Sequence, residues 1–104
     1  MRSINMTDYE TELVSSAKPV LMDFYADWCG PCKMVGPVME SLSESYGDDI
    51  IVAKVDVDVQ RALAGHFDIM SIPTVVLMKD GQVVVKSVGA KPEIYYKSII
   101  DKAL

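Results

Sequence analysis

The sequence has few of the residues that mark specialised protein classes. Only two of its 104 residues are cysteine and one is histidine, and its longest unbroken apolar runs are four residues. A membrane-spanning helix needs about 20 apolar residues, so none is expected. Two cysteines are also too few for the disulfide-dense scaffold of a small secreted protein. The sequence therefore predicts neither a membrane protein nor a disulfide-rich secreted one.

Basic charge is also scarce. Ten Lys and Arg residues stand against fifteen Asp and Glu residues, which gives a net charge of −5, and no Lys/Arg cluster occurs. A phosphate backbone would be repelled, so no nucleic-acid partner is expected. The first ten residues, MRSINMTDYE, lack the apolar core of a signal peptide, which predicts a cytoplasmic location. Half of the residues are hydrophobic and 24% are charged, which is the composition of a globular protein. The length of the chain predicts one domain, residues 1–104.

Strand and helix signals alternate along the chain. A short strand is predicted in SINM, residues 3–6, and then a helix to about Ala17 with a capping box of Thr7 and Glu10. From there the predicted elements are a buried strand at 20–26, a helix from about 30 to 46, a strand at 50–57, a short helix near 59–67, a hairpin of strands 74–79 and 82–88, and a helix after Pro92. From the strand at 20–26 onward, the order is βαβαββα. Helical crossovers give parallel strand pairs and the hairpin an antiparallel pair, so the fold class is α/β, a mixed central sheet with helices on both faces.

Both cysteines lie in DWCGPCK, residues 27–33, and three roles are open to Cys29 and Cys32. A closed zinc site needs four ligands, and His66 is the chain's single histidine, so a metal site is disfavoured. A structural disulfide over so short a loop would contribute only about 2 kcal/mol, against about 4.7 kcal/mol for a loop of a hundred residues. A catalytic pair is favoured, because the motif lies where a buried strand ends and a helix begins.

The position at a helix start favours reactivity in Cys29. Free N–H groups and the positive end of the helix dipole stabilise a thiolate, which is the nucleophilic form of cysteine. Cys32, one turn further along, is expected to be more buried. Pro31 restricts the backbone between the cysteines, and Gly30 lets a substrate's backbone approach closely. The sequence thus predicts a reactive dithiol.

The segment FYADWCGPCK, residues 24–33, resembles the active site of the thioredoxin family. Matching segments follow along nearly the whole chain: KVDVD at 54–58, SIPT at 71–74, KDG at 79–81 and VGA at 88–90. The resemblance implies the thioredoxin fold and the reduction of disulfides in client proteins, with the dithiol as the redox group and no bound cofactor. It also implies a monomer that is re-reduced by a thioredoxin reductase, either an NADPH-dependent flavoprotein or a ferredoxin-linked enzyme. The alternative is a non-catalytic subunit that binds a partner through the same apolar groove.

The resemblance also implies roles for individual residues. Cys29 matches the attacking cysteine and Cys32 the resolving one. Asp23 matches a buried aspartate that assists proton transfer at the resolving thiol, and Lys54 matches a lysine near it, although an ordinary exposed strand residue is an equal alternative for Lys54. Pro73 matches a cis-proline that faces the disulfide. The other matched groove positions are Trp28, Gly30, Pro31, Ile72, Gly89 and Ala90. Tyr25 departs from the pattern, since many members carry a second tryptophan there.

Overall fold

A computed structural model describes all 104 residues of the protein. In chain order its elements are β1 (Arg2–Ser3), α1 (Met6–Asp8, continued by a wider π-helical turn over Tyr9–Leu13), β2 (Val20–Tyr25), α2 (Cys32–Tyr46), β3 (Ile51–Asp56), α3 (Arg61–His66), β4 (Thr74–Lys79), β5 (Gln82–Val88) and α4 (Glu93–Ala103). A single turn of 3-10 helix, Gly47–Asp49, links α2 to β3. None of the helices combines the length and the apolar character needed to cross a bilayer.

The five strands form one sheet in the order β1-β3-β2-β4-β5. β3 pairs in parallel with β1 and β2, whereas β4 pairs antiparallel with β2 and β5. β2 lies at the centre, and its first five residues are buried because helices cover both of its faces. The mixed sheet and the βαβαββα order from β2 onward are therefore confirmed.

Two hydrophobic clusters lie on opposite faces of the sheet. On one face the side chains of α1, its π-helical turn and α3 pack together, including Tyr9, Leu13, Leu63 and Phe67. On the other face α2 and α4 contribute Val35, Met39, Leu42, Tyr96 and Ile100. Because successive strand residues point to opposite faces, the sheet supplies apolar side chains to both clusters. The predicted placement of helices on both faces is confirmed.

Turn residues set the bounds of the hairpin and of α2. Asp80 (φ 53°) and Gly81 (φ 76°) both adopt the left-handed conformation that a tight two-residue hairpin requires, and β4 and β5 occupy the predicted residues. A Cβ atom on Gly81 would also lie 3.0 Å from the carbonyl oxygen of Val14. Gly47 (φ 54°) ends α2 at Tyr46, as predicted.

The predicted N-terminal capping box is wrong. Asn5 caps the first helix: its side chain accepts a hydrogen bond from the Asp8 N–H (2.8 Å), and the Asp8 carboxylate accepts one from the Asn5 N–H (3.1 Å). The predicted pair of Thr7 and Glu10 makes no such contact. The cause lies in the sheet, because the Ile4 N–H still donates to β3 (3.1 Å) and Asn5 is the next residue free to cap.

Several predicted bounds also differ from the observed ones. The first strand is Arg2–Ser3 rather than 3–6, and the first helical segment ends at Leu13 rather than Ala17. α2 begins at Cys32, two residues after the predicted start, because the N–H groups of Lys33 and Met34 close tighter three-residue turns over the motif. The short helix covers Arg61–His66 rather than 59–67.

Candidate active site

Cys29 and Cys32 are joined by a disulfide at the junction between β2 and α2, with their Cα atoms 5.3 Å apart. The Cys32 N–H lies at the start of the helix and donates to the Cys29 Sγ atom (3.3 Å). No side chain caps this end of α2. The backbone donor and the positive end of the helix dipole therefore face Cys29, and both stabilise negative charge on its sulfur.

The two cysteines are almost equally covered, with 4% of Cys29 and 5% of Cys32 exposed. The expectation that Cys32 is the more buried residue is therefore wrong for the disulfide form. Both side chains pack with Ala26 in a small cluster, and Ile72 covers that cluster from the opposite loop. Since the bonded sulfurs also cover each other, burial does not distinguish the two residues in this state.

Asp23 lies behind the disulfide in the centre of the sheet. It is 3% exposed, and its Oδ1 atom has no hydrogen-bond partner in the protein. Desolvation disfavours the carboxylate and raises the pKa of Asp23 to about 6, an effect that the Lys54 ammonium partly opposes. Its predicted burial is confirmed. The carboxyl group can therefore hold or release a proton near neutral pH.

A small cavity connects Asp23 to Cys32. Cys32 and Lys54 line it together with Asp23, and its remaining walls are Met1, Tyr25, Gly36 and Glu40. Lys54 is the β3 residue directly opposite Asp23 in the parallel register. Its Nζ atom lies 5.9 Å from the centroid of the Tyr25 ring, within reach of a cation–π contact. Lys54 is thus half-buried beside Asp23 rather than an ordinary exposed strand residue.

Trp28 lies on the surface next to the disulfide, with 70% of the residue exposed. Its indole Nε1–H donates to the Asp58 carboxylate (2.7 Å). An apolar groove runs from this indole to the loop before β4, and its other lining residues are Val57, Ile69, Met70, Ser71 and Ile72. Met70 is 92% exposed, so this part of the groove is open to solvent.

Pro73 follows this groove and immediately precedes β4. The Ile72–Pro73 peptide bond is cis, as the resemblance implies, and Pro73 is buried. Its carbonyl oxygen accepts a hydrogen bond from the Gly89 N–H (2.8 Å), which joins two matched positions. Gly89 has a φ of 91° that favours glycine, and Ala90 beside it is exposed.

Gly30 and Pro31 lie exposed between the cysteines. The matched loop residues therefore lie at one end of the sheet, and Asp23 and Lys54 lie two residues before the ends of β2 and β3 on the same side. Three further residues belong to the site without a sequence-based prediction: Asp58 accepts the bond from Trp28, Met70 lines the groove and Glu40 lines the cavity beside Asp23. The segment KVDVD contains Asp58, and its place after a buried strand was the available signal for it. Nothing in the local sequence marks Met70 or Glu40.

A comparison with known protein families matches residues 1–102 to the family described as Thioredoxin. The chain belongs to the thioredoxin family. It is similar to the thioredoxin of Bacillus subtilis, with 43% identity over 104 residues that cover 100% of both chains. It is 52% identical to the thioredoxin of Mycobacterium tuberculosis (strain H37Rv) over 91 residues, which cover 86% of this chain and 78% of that one.

Thioredoxins are thiol-disulfide oxidoreductases, and this chain is accordingly a protein-disulfide reductase with the Cys29–Cys32 pair as its redox-active disulfide. The family performs dithiol-disulfide exchange with its own cysteines and needs no cofactor. Its partners are client proteins that contain disulfides and a thioredoxin reductase that restores the dithiol. The structure contains no group of three or more His, Cys, Asp or Glu side chains placed to hold a metal ion.

Proposed function

We propose that Cys29 is the attacking cysteine of the reductase. The single observation that carries this assignment is the Cys32 N–H, which points at the Cys29 Sγ atom from the uncapped start of α2. In the reduced protein this donor would stabilise a Cys29 thiolate. The thiolate attacks one sulfur of a client disulfide, so that a mixed disulfide forms and the other client sulfur leaves as a thiolate.

Cys32 resolves the mixed disulfide with help from Asp23. The Cys32 thiol gives its proton to the Asp23 carboxylate across the cavity that both residues line. The Cys32 thiolate then attacks the Cys29 sulfur, which releases the second client thiolate and forms the Cys29–Cys32 disulfide. Two electrons thus pass from the protein to the client. Lys54 sets the acidity of Asp23, since its ammonium lowers the pKa that burial raises.

The groove beside the disulfide binds the client as an extended segment. Trp28 and Ile72 both line the groove, and Ile72 also packs against the cysteine cluster. Pro73 has no N–H, so the Ile72 backbone is the group available to pair with an incoming strand. Gly89 and Ala90 border the same surface through the hydrogen bond from Gly89 to Pro73. Gly30 and Pro31 leave the client close access to the disulfide.

The finer assignments about partners and setting follow from this reaction. Residues 1–104 act as one thioredoxin domain and as a monomer, because attack on a client requires an uncovered groove. The electron donor is an NADPH-dependent flavoprotein reductase or a ferredoxin-linked one. The cytoplasm is the proposed location, since net reduction of clients needs a compartment that keeps thiols reduced.

Covalent trapping tests the assigned order of attack. Cys32→Ser, pre-reduced and mixed with insulin as the disulfide client, should accumulate a stable mixed disulfide through Cys29, because attack proceeds and resolution cannot. Cys29→Ser is the matched control and should trap almost nothing. Non-reducing gel electrophoresis and mass spectrometry identify the adduct. Equal trapping by the two variants would overturn the assignment.

A further inference from the structure

Lys86 on β5 makes an unusual pair of contacts at the end of α3. Its Nζ atom donates to the carbonyl oxygens of Phe67 (2.8 Å) and Asp68 (2.8 Å). These carbonyls lie at the C-terminal end of the helix, where the backbone dipole is negative and the last acceptors have no partner within the helix. The ammonium therefore caps α3 from a strand that is 18 or 19 residues further along the chain.

The residue two positions beyond the end of α3 is held in an unfavourable conformation. Asp68 has a φ of 52°, which is the left-handed region. The N–H groups of Asp68 and Ile69 donate back to Gly65 (3.1 Å) and Ala64 (3.0 Å), which is the hydrogen-bond pattern of a Schellman cap. Glycine is the usual residue at this position, since a side chain there is strained. A cation on the Asp68 carbonyl offsets part of that cost.

The next residues after Asp68 form one wall of the client groove. Ile69, Met70 and Ile72 line it together with Trp28, and Ile72 also packs against the cysteine cluster. The backbone angles at Asp68 set the direction in which the chain continues from α3 into this wall. A change of that turn would therefore move the wall relative to Cys29 while leaving the cysteines and Asp23 in place.

We propose that Lys86 is a positioning residue for client binding, which fixes the left-handed turn at Asp68 and thereby aims the groove wall at the disulfide. The inference rests on the proposed client groove and extends it to a residue outside it. It predicts that Lys86 and Asp68 are energetically coupled. A glycine at position 68 adopts the turn without strain, so it should make the lysine dispensable.

The test compares single-turnover reduction of insulin by the pre-reduced variants over a range of insulin concentrations. Lys86→Met should raise the half-saturating concentration roughly threefold to tenfold, the factor expected for loss of a capping contact, with the limiting rate unchanged. Lys86→Arg keeps the cation and should stay within about twofold of the parent protein. Asp68→Gly combined with Lys86→Met should restore the parent value.

Lys79→Met is the matched control. Lys79 lies on the same hairpin and its Nζ atom also donates to a helix-end carbonyl, that of Ala103 (2.6 Å), away from the groove. Both methionine variants should lose similar stability in urea unfolding, but only Lys86→Met should raise the half-saturating concentration. Reaction with the small disulfide 5,5′-dithiobis(2-nitrobenzoic acid), which does not need the groove, should be unchanged in both.

Equal half-saturating concentrations for Lys86→Met and Lys79→Met would overturn the proposal, as would a failure of Asp68→Gly to reverse the effect. If Lys86→Met does not fold, the comparison of Asp68→Gly with and without Lys86→Met decides instead, and a difference between them overturns the proposal. Trp28→Ala distinguishes a failure of the positioning role of Lys86 from a failure of the proposed client groove. If Trp28→Ala weakens insulin binding and Lys86→Met does not, only the positioning role fails; if neither does, both fail.

Discussion

The indole of Trp28 is held in place by Asp58, a residue 30 positions further along the chain. The Nε1–H donates to the carboxylate over 2.7 Å, and a hydrogen bond to a charged acceptor is stronger than one between neutral groups. The bond fixes an aromatic side chain that is 70% exposed and would otherwise sample several rotamers. The wall of the groove next to Cys29 is thus ordered before a client arrives.

Asp58→Ala should therefore weaken client binding rather than chemistry. Loss of the bond at this exposed site costs about 1 kcal/mol, which corresponds to roughly a fivefold higher half-saturating concentration of insulin. The limiting rate should not change. Trp28 is the single tryptophan of the chain, so its fluorescence directly reports the altered surroundings of the indole. Asp49→Ala, which removes another exposed carboxylate, serves as the control, and an equal effect of both variants would refute this role for Asp58.

Replacement of Asp23 should stabilise the fold at neutral pH. Its pKa is about 6 in the folded protein against an ordinary value of 3.8, so unfolding releases protons between these values and stability falls as the pH rises through that interval. A shift of about two units corresponds to about 3 kcal/mol, and after allowance for the lost packing Asp23→Ala should gain about 1–3 kcal/mol at pH 7. Below about pH 3.8 the gain should vanish, because the carboxyl group is then neutral in both states.

Urea unfolding of the disulfide form at pH 4, 5, 6 and 7 measures this difference without interference from free thiols. Asp23→Asn, which keeps the volume of the side chain, is the matched variant and should show the same dependence on pH. The same substitutions should slow release of the client from the mixed disulfide, since Cys32 loses its proton acceptor. A constant difference in stability across this pH range would show that Asp23 does not titrate as described.

The hairpin glycine should be intolerant of any side chain. Gly81→Ala combines a φ of 76° with a Cβ atom 3.0 Å from the Val14 carbonyl oxygen, so we expect a loss of about 1–2 kcal/mol in the free energy of unfolding. Gly65→Ala is the control: a Cβ atom there meets nothing within 4 Å, and alanine in a helix should gain about 0.5–1 kcal/mol. Thermal or urea unfolding measures the change in stability of both variants. Equal changes for Gly81→Ala and Gly65→Ala would contradict the geometry.

The sequence could predict those features that depend on local pattern. The sequence predicts the hairpin strands to the residue, because two runs rich in β-branched residues flank Asp80-Gly81, a dipeptide typical of a two-residue hairpin turn. The sequence does not predict the N-terminal cap correctly, because Asn5-x-x-Asp8 and Thr7-x-x-Glu10 both have the spacing of a capping box. Pairing of β1 with β3 decides between them, and that pairing is a tertiary contact.

The same division applies to the candidate site. The cysteines and Asp23 lie within one stretch of ten residues, where the end of a buried strand and the start of a helix give each of them a physical meaning. The contacts of Trp28 with Asp58 and of Lys86 with Phe67 join residues 30 and 19 positions apart. Such contacts depend on how loops and strands that are distant in sequence come together in the fold, which no local pattern encodes.

Removal of both sulfurs should abolish the reaction while leaving the groove intact. In Cys29→Ser/Cys32→Ser the two residues remain small and can pack with Ala26 as the cysteines do, and Trp28 keeps its bond to Asp58. We expect this variant not to reduce insulin. If disulfide reduction is the protein's whole role, the variant should also fail to rescue cells that lack the protein. Rescue by this variant, with the single variant Cys32→Ser as a comparison, would instead establish the second role as a non-catalytic subunit, because only binding through the groove survives the substitution.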